Sequence, residues 1–287
     1  MRFVTVEHAG ATRWGTVDSE HVRLAPTGGS APASLLDHLD ASGALPDTSG
    51  WETVALEDVT LRAPIPAPRR NIMCLGLNYA DHAAESQGAG LGGADLPQYP
   101  IIFTKATTSV TGPLSDVELD PRVTSKLDWE VELAVVIGRG GRFIGEDAAM
   151  EHVFGYTIVN DLSARDLQRH HKQFFLGKSM DGACPMGPWI TSADEVPDPH
   201  ALELSSTVNG ETKQASNTRH LIFRIPRIIE QLSTVMTLLP GDIIATGTPS
   251  GVGFARNPPE FLRPGDVVEC HIEGLASLRN RIVEPRR

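Results

Sequence analysis

The 287-residue sequence has no long hydrophobic run; the longest is Leu133 to Ile137. A membrane-spanning helix needs about 20 apolar residues, so a membrane protein of the helical kind is not expected. Cysteine is scarce, with only Cys74, Cys184 and Cys270, far apart and with no CxxC pair. That excludes a disulfide framework and a zinc knuckle, and fits reduced thiols in a cytoplasmic protein. Basic residues are in deficit: 25 Lys+Arg stand against 36 Asp+Glu, a net charge of −11 at pH 7. Such a surface repels phosphate backbones, so a nucleic-acid partner is not expected. The opening Met1 to Glu7 lacks an apolar h-region and reads as a strand rather than a signal peptide. Internal repeats, heptads and regular βαβ alternation are also missing, which argues against a coiled coil or a doubly wound sheet.

What is present is a core's worth of apolar residues, 40% of the chain, cut into short runs by 27 Gly and 21 Pro. Whole-chain disorder is thereby excluded. Phe3 to Val6 and Thr12 to Val17 read as two strands, followed by a short helix capped by Ser34. Pro64, Pro66 and Pro68 then forbid regular helix and mark a stiff linker. The division predicted is a small β-rich unit over 1–65 and a main domain over 66–287. In the latter, Asn209-Gly210 is a hairpin turn after a strand ending at Val208. Ile225, Ile228, Ile229, Leu232 and Met236 have helical spacing, with Pro226 where a first-turn proline is tolerated. Pro264-Gly265-Asp266 turns into a strand over 267–272. The expected fold is mixed β with short helices, a β-roll or barrel-like sandwich.

Several polar groups interrupt this pattern. Asp128-Trp129-Glu130-Val131-Glu132 leads into a strand, so Glu130 and Glu132 share a face about 6.5–7 Å apart. Either that face is solvated or a hard cation accepts both carboxylates. Asp161 ends another strand-like run and is a third oxygen donor. Three such ligands, with water and substrate, suit Mg²⁺ or Mn²⁺. In Asn78-Tyr79-Ala80-Asp81-His82, Asn78 can cap a helix that places His82 and Glu85 on one face. That pair is either a surface contact or a general base with its orienting carboxylate. The glycine-rich stretch Ser86 to Pro97 is a surface loop or a mobile lid. Lys178, between Gly177 and Ser179 after an apolar triplet, is either exposed or held at a partly buried site; His170 and His171 read as surface residues. Thr246 to Gly253 is a tight turn whose hydroxyls and amides could bind a carboxylate, but it lacks the phosphate-loop pattern.

In this order the motifs resemble those of the fumarylacetoacetate hydrolase family. The matching segments are Gly76 to His82, Asp128 to Glu132, Asn160 to Asp166, Gly177 to Ser179, Pro240 to Ile244 and Thr246 to Pro249, spread from about residue 70 to Val283. The resemblance implies a family-type β-roll, a homodimer, and Mg²⁺ or Mn²⁺ held by Glu130, Glu132 and Asp161. It further implies His82 and Glu85 as an acid/base dyad, Lys178 as a catalytic cation, and Arg165, Gln168 and Thr248 as substrate contacts. The activity expected is hydrolysis of a C–C bond in a 2,4-dioxo acid of the acylpyruvate kind. The alternative is decarboxylation or isomerisation of a small 2-oxo acid such as oxaloacetate.

Overall fold

The computed structural model describes residues 1–88 and 96–285. Most of the glycine-rich stretch expected to be a loop or lid therefore lies outside the described residues.

Twelve strands share one mixed sheet. Across it run Glu52–Ala55, His21–Leu24, Ala11–Val17, Arg2–His8, Cys184–Ser192, Val153–Asn160, Val131–Ile137, Ile243–Ala245, Ile72–Gly76 and Ile101–Lys105. Thr60–Leu61 pairs beside Arg2–His8, and Val110–Thr111 beside Cys184–Ser192. A second sheet of five strands runs Glu211–Asn217, Glu203–Val208, Val267–Ile272, Ala276–Val283 and Val117–Glu118. Helices are few among the described residues, and the longest is Ile225–Val235. None is long and apolar enough to cross a membrane.

The strand Val131–Ile137 shows why the middle of the large sheet is stable. All seven residues are buried. Val131, Leu133, Val135 and Ile137 join the main core, whereas Ala134 and Val136 join a second core on the opposite face. Alternation thus fills two cores from one strand, and burying each larger side chain is worth roughly 1.5–3 kcal/mol. The first 61 residues carry a small cluster of their own, Val4, Val6, Val17, Val22 and Leu24. Their sheet is nonetheless continuous with the rest, because Arg2 and Phe3 pair with Thr191 and Ile190.

Local signals explain the turns. Asn209 and Gly210 both take positive φ, as a type I′ hairpin requires, and join Glu203–Val208 to Glu211–Asn217. Pro226 sits in the first turn of Ile225–Val235, whose buried face carries Ile225, Ile228, Ile229 and Leu232. The predicted capping role of Asn78 is not what forms. Its fully buried amide donates to the carbonyls of Phe223 and Thr246, and its Oδ1 accepts the Phe223 N–H. Asn78 therefore ties three distant segments together, just before the helix Ala80–Gly88.

Candidate active site

Glu130, Glu132 and Asp161 converge because two strands pair antiparallel. Val131 lies opposite Asn160, and the Asp161 amide donates to the Glu130 carbonyl at 2.8 Å. Glu130 is not in a continuous strand with Glu132, as the sequence pattern suggested. It sits in the break between Leu127–Asp128 and Val131–Ile137, where its N–H donates to Asn160 Oδ1. The three carboxylates are buried, each with an oxygen within 4.8 Å of one on the others.

Cations surround this trio unevenly. Lys178 Nζ lies 2.7 Å from both Glu130 and Asp161. Arg165 lies 2.6 Å from Glu130, and Lys105 is 2.7 Å from Asp161. Glu132 has no ion pair among the described residues; its Oε2 accepts the Gly247 amide at 2.7 Å. Burial alone would raise the Glu130 carboxyl, but the Lys178 and Arg165 charges overrule it and hold it at about 2. For Glu132, burial and then the Asp161 and Glu130 charges act together, pushing its carboxyl well above the usual carboxylate range. A cluster of hard oxygen donors with one carboxylate lacking a cationic partner fits a divalent cation.

His82 and Glu85 lie one turn apart on Ala80–Gly88, with His82 Nδ1 2.9 Å from Glu85 Oε1. Glu85 also accepts the Gly251 amide on both oxygens. The Thr246–Gly253 turn does bind carboxylates, and they are the protein's own: Gly247 serves Glu132, Gly251 serves Glu85, and Gly253 with Phe254 serves Asp128. Glycine is required at two of these points. A Cβ on Gly251 would lie 2.1 Å from the Lys213 carbonyl oxygen, and one on Gly253 2.2 Å from that of Glu260.

Lys178 ends the short helix Phe175–Lys178. Gly177 lets that helix dock, since a Cβ there would lie 2.8 Å from the Gln168 nitrogen. Arg165 is fully engaged by the protein: Nε donates to Asp128, one terminal nitrogen to Gln168 Oε1, and the other faces Glu130. Phe254 stacks under its guanidinium. The Thr248 hydroxyl donates to the Val131 carbonyl and accepts from Gln214. Gln168 Nε2 has no hydrogen-bond partner among the described residues.

His82, Glu130, Arg165, Gln168, Lys178 and Thr248 line one cavity of about 200 Å³, whose other walls include Leu75, Ile101, Phe103, Phe174 and Phe254. His170 and His171 are exposed and take no part. Three groups escaped the reading of the sequence. Lys105 is fully buried at the end of Ile101–Lys105, and a lysine closing an apolar strand was its only local signal. Asp128 accepts four hydrogen bonds and anchors Arg165 to the glycine turn. Gln214 reaches in from the second sheet, where no nearby motif announces it.

Fold and site together define a mixed-β protein with a buried carboxylate centre suited to a divalent metal beside a histidine–carboxylate pair. The chain belongs to the fumarylacetoacetate hydrolase family: the profile of that family's C-terminal region matches residues 71–283. It is 50% identical over 236 residues to oxaloacetate tautomerase YisK of Bacillus subtilis (strain 168), covering 82% of this chain and 77% of that one. Among solved structures, a fumarylacetoacetate hydrolase from psychrophilic Exiguobacterium antarcticum superimposes with a TM-score of 0.87 at 39% identity, over 99% of this chain and all of that one. A 2-hydroxyhepta-2,4-diene-1,7-dioate isomerase from Mycobacterium marinum gives 0.79 at 32% identity over the whole of both chains.

Proposed function

We propose that the protein is a divalent-metal-assisted isomerase that interconverts the keto and enol forms of a small 2-oxo dioate of the oxaloacetate type. The observation that carries this reading is the pairing of His82 with Glu85 on the wall of the same small cavity that Glu130 and Lys178 line. The tautomerase and isomerase names of the relatives support isomerisation over the C–C hydrolysis expected from the sequence.

Glu130, Glu132 and Asp161 would hold Mg²⁺ or Mn²⁺, which supplies Lewis-acid stabilisation of charge on the substrate's C2 oxygen. His82 Nε2 takes a proton from C3 of the keto acid and, as the imidazolium, delivers it to the C2 oxygen, so the ring ends as it began and the product is an isomer; the reverse path regenerates the keto form. Glu85 orients the ring and stabilises the imidazolium that forms. Lys178 keeps positive charge beside the developing negative charge. The apolar walls limit water around the reacting carbon.

Loss of the C3 hydrogens of oxaloacetate to deuterated solvent, followed by NMR with Mg²⁺, tests the reading. Acceleration well above a protein-free Mg²⁺ control is expected. No acceleration, or decarboxylation without exchange, would overturn it. We also take residues 66–287, which hold every candidate site residue, as the catalytic unit. A homodimer in the cytoplasm completes the proposal; exposed Ile101 and Ile102 on an edge strand of the large sheet support the dimer. Light scattering at micromolar concentration should give twice the chain mass.

A further inference from the structure

Ser86 lies four residues after His82 on the helix Ala80–Gly88, so both project from one face, about one turn apart. It is 2% exposed and lines the same cavity. Its hydroxyl has no hydrogen-bond partner among the described residues. The helix Ile225–Val235 shows what helical hydroxyls ordinarily do: Ser233 and Thr234 both donate back to the Glu230 carbonyl. Facing the cavity with no such partner, the Ser86 hydroxyl is open to a hydrogen bond with a bound ligand.

The other polar groups narrow down that ligand. Arg165 is engaged on all sides by Asp128, Gln168 and Glu130, and Lys178 is held between Glu130 and Asp161. The cavity's cations therefore belong to the carboxylate end. Ser86 lies one helical turn beyond His82 in the same cavity. A substrate bound through its C1 carboxylate and C2 oxygen presents C3 to His82, and whatever is attached to C3 continues toward Ser86. Apolar side chains, Leu77 and Ile101 among them, make up much of the remaining lining.

We propose that Ser86 is a specificity-determining residue whose hydroxyl donates to the distal C4 carboxylate of the substrate, selecting a four-carbon 2-oxo dioate over the monoacid of equal length. The proposal rests on the isomerase reading for the orientation of the substrate.

The test uses the full-length, Mn²⁺-loaded protein and calorimetric binding of oxaloacetate, 2-oxobutanoate and oxalate. 2-Oxobutanoate replaces the C4 carboxylate by a methyl, and oxalate occupies only the chelating end. Ser86→Ala should weaken oxaloacetate on the order of 10-fold or more and leave the other two unchanged. Ser86→Thr, which keeps a hydroxyl, should restore most of the affinity. Equal weakening of all three ligands, or unchanged oxaloacetate binding, would overturn the proposal, as would a wild type that does not bind oxaloacetate. A wild type that binds oxaloacetate without isomerising it would sink the functional reading alone, because the binding comparison still decides the role of Ser86.

Discussion

Glu85 accepts from His82 Nδ1 at 2.9 Å while its own oxygens are fixed by the Gly251 amide at 3.1 and 3.0 Å. A carboxylate oxygen accepts in this pair, so Nδ1 is the donor and Nε2 is the nitrogen left for substrate. The proposed base is thus oriented, through Glu85, by a turn more than 160 residues away in sequence.

His82→Ala should lower the rate of C3 hydrogen exchange in oxaloacetate by about 10²–10⁴-fold, the usual contribution of a positioned base. Mn²⁺ affinity should hardly change, because His82 is not among the converging carboxylates. NMR exchange rates and calorimetry on the same variant separate the two effects.

Glu132→Gln should stabilise the metal-free protein at neutral pH while weakening metal binding. The folded state holds the Glu132 carboxyl above its ordinary 4.5, so between 4.5 and that raised value the folded chain keeps a proton the unfolded chain has lost. Stability therefore falls as pH rises from about 4.5 through that window. Thermal unfolding in chelator from about pH 5 to about pH 8 should show the wild type losing Tm relative to the variant. Added Mg²⁺ should reverse the order, since a ligand of the folded state stabilises in proportion to its affinity.

Lys105→Met should destabilise the metal-free protein by about 3 kcal/mol, because it leaves the buried Asp161 with one lysine instead of two. Saturating Mg²⁺ should shrink the loss by restoring positive charge beside Asp161. Urea unfolding with and without Mg²⁺ checks both statements; equal losses in the two conditions would rule out this charge-balancing role.

Gly251→Ala should cost about 2 kcal/mol or more, since φ is +102° and the added Cβ would lie 2.1 Å from the Lys213 carbonyl oxygen. The shift should also release Glu85 and lower the exchange rate. Ser250→Ala, next in the chain and bonded through its hydroxyl to Asp81 at the surface, should stay within about 0.5 kcal/mol of wild type.

Local chemistry was legible in the sequence wherever a residue's role depends on its neighbours. Asn209-Gly210 needs positive φ, Pro226 tolerates a first turn, and His82 with Glu85 needs only helical spacing. The acidic trio was legible through the order of the family-like motifs; alternation alone left solvent or a cation open, and Glu130 in fact sits in a break before the strand. What escaped depends on pairing across long separations. Asn78 bonds to Thr246, 168 residues away, and Gln214 to Val131, 83 away. No local pattern distinguishes these amides from surface ones. The order of the large sheet, which seats Arg2–His8 against Cys184–Ser192, was hidden for the same reason.

The glycine turn that grips Glu132, Glu85 and Asp128 also limits how this scaffold can diverge. One inserted or deleted residue between Gly247 and Phe254 would move a carboxylate of the proposed metal centre, the partner of the proposed base and the anchor of Arg165 in a single event. That wall is effectively frozen as a unit. The cavity residues Ser86 and Ile101 carry no such shared burden: among the described residues neither side chain bonds to those three carboxylates. New substrates can be accommodated there one side chain at a time, with the chemistry left intact.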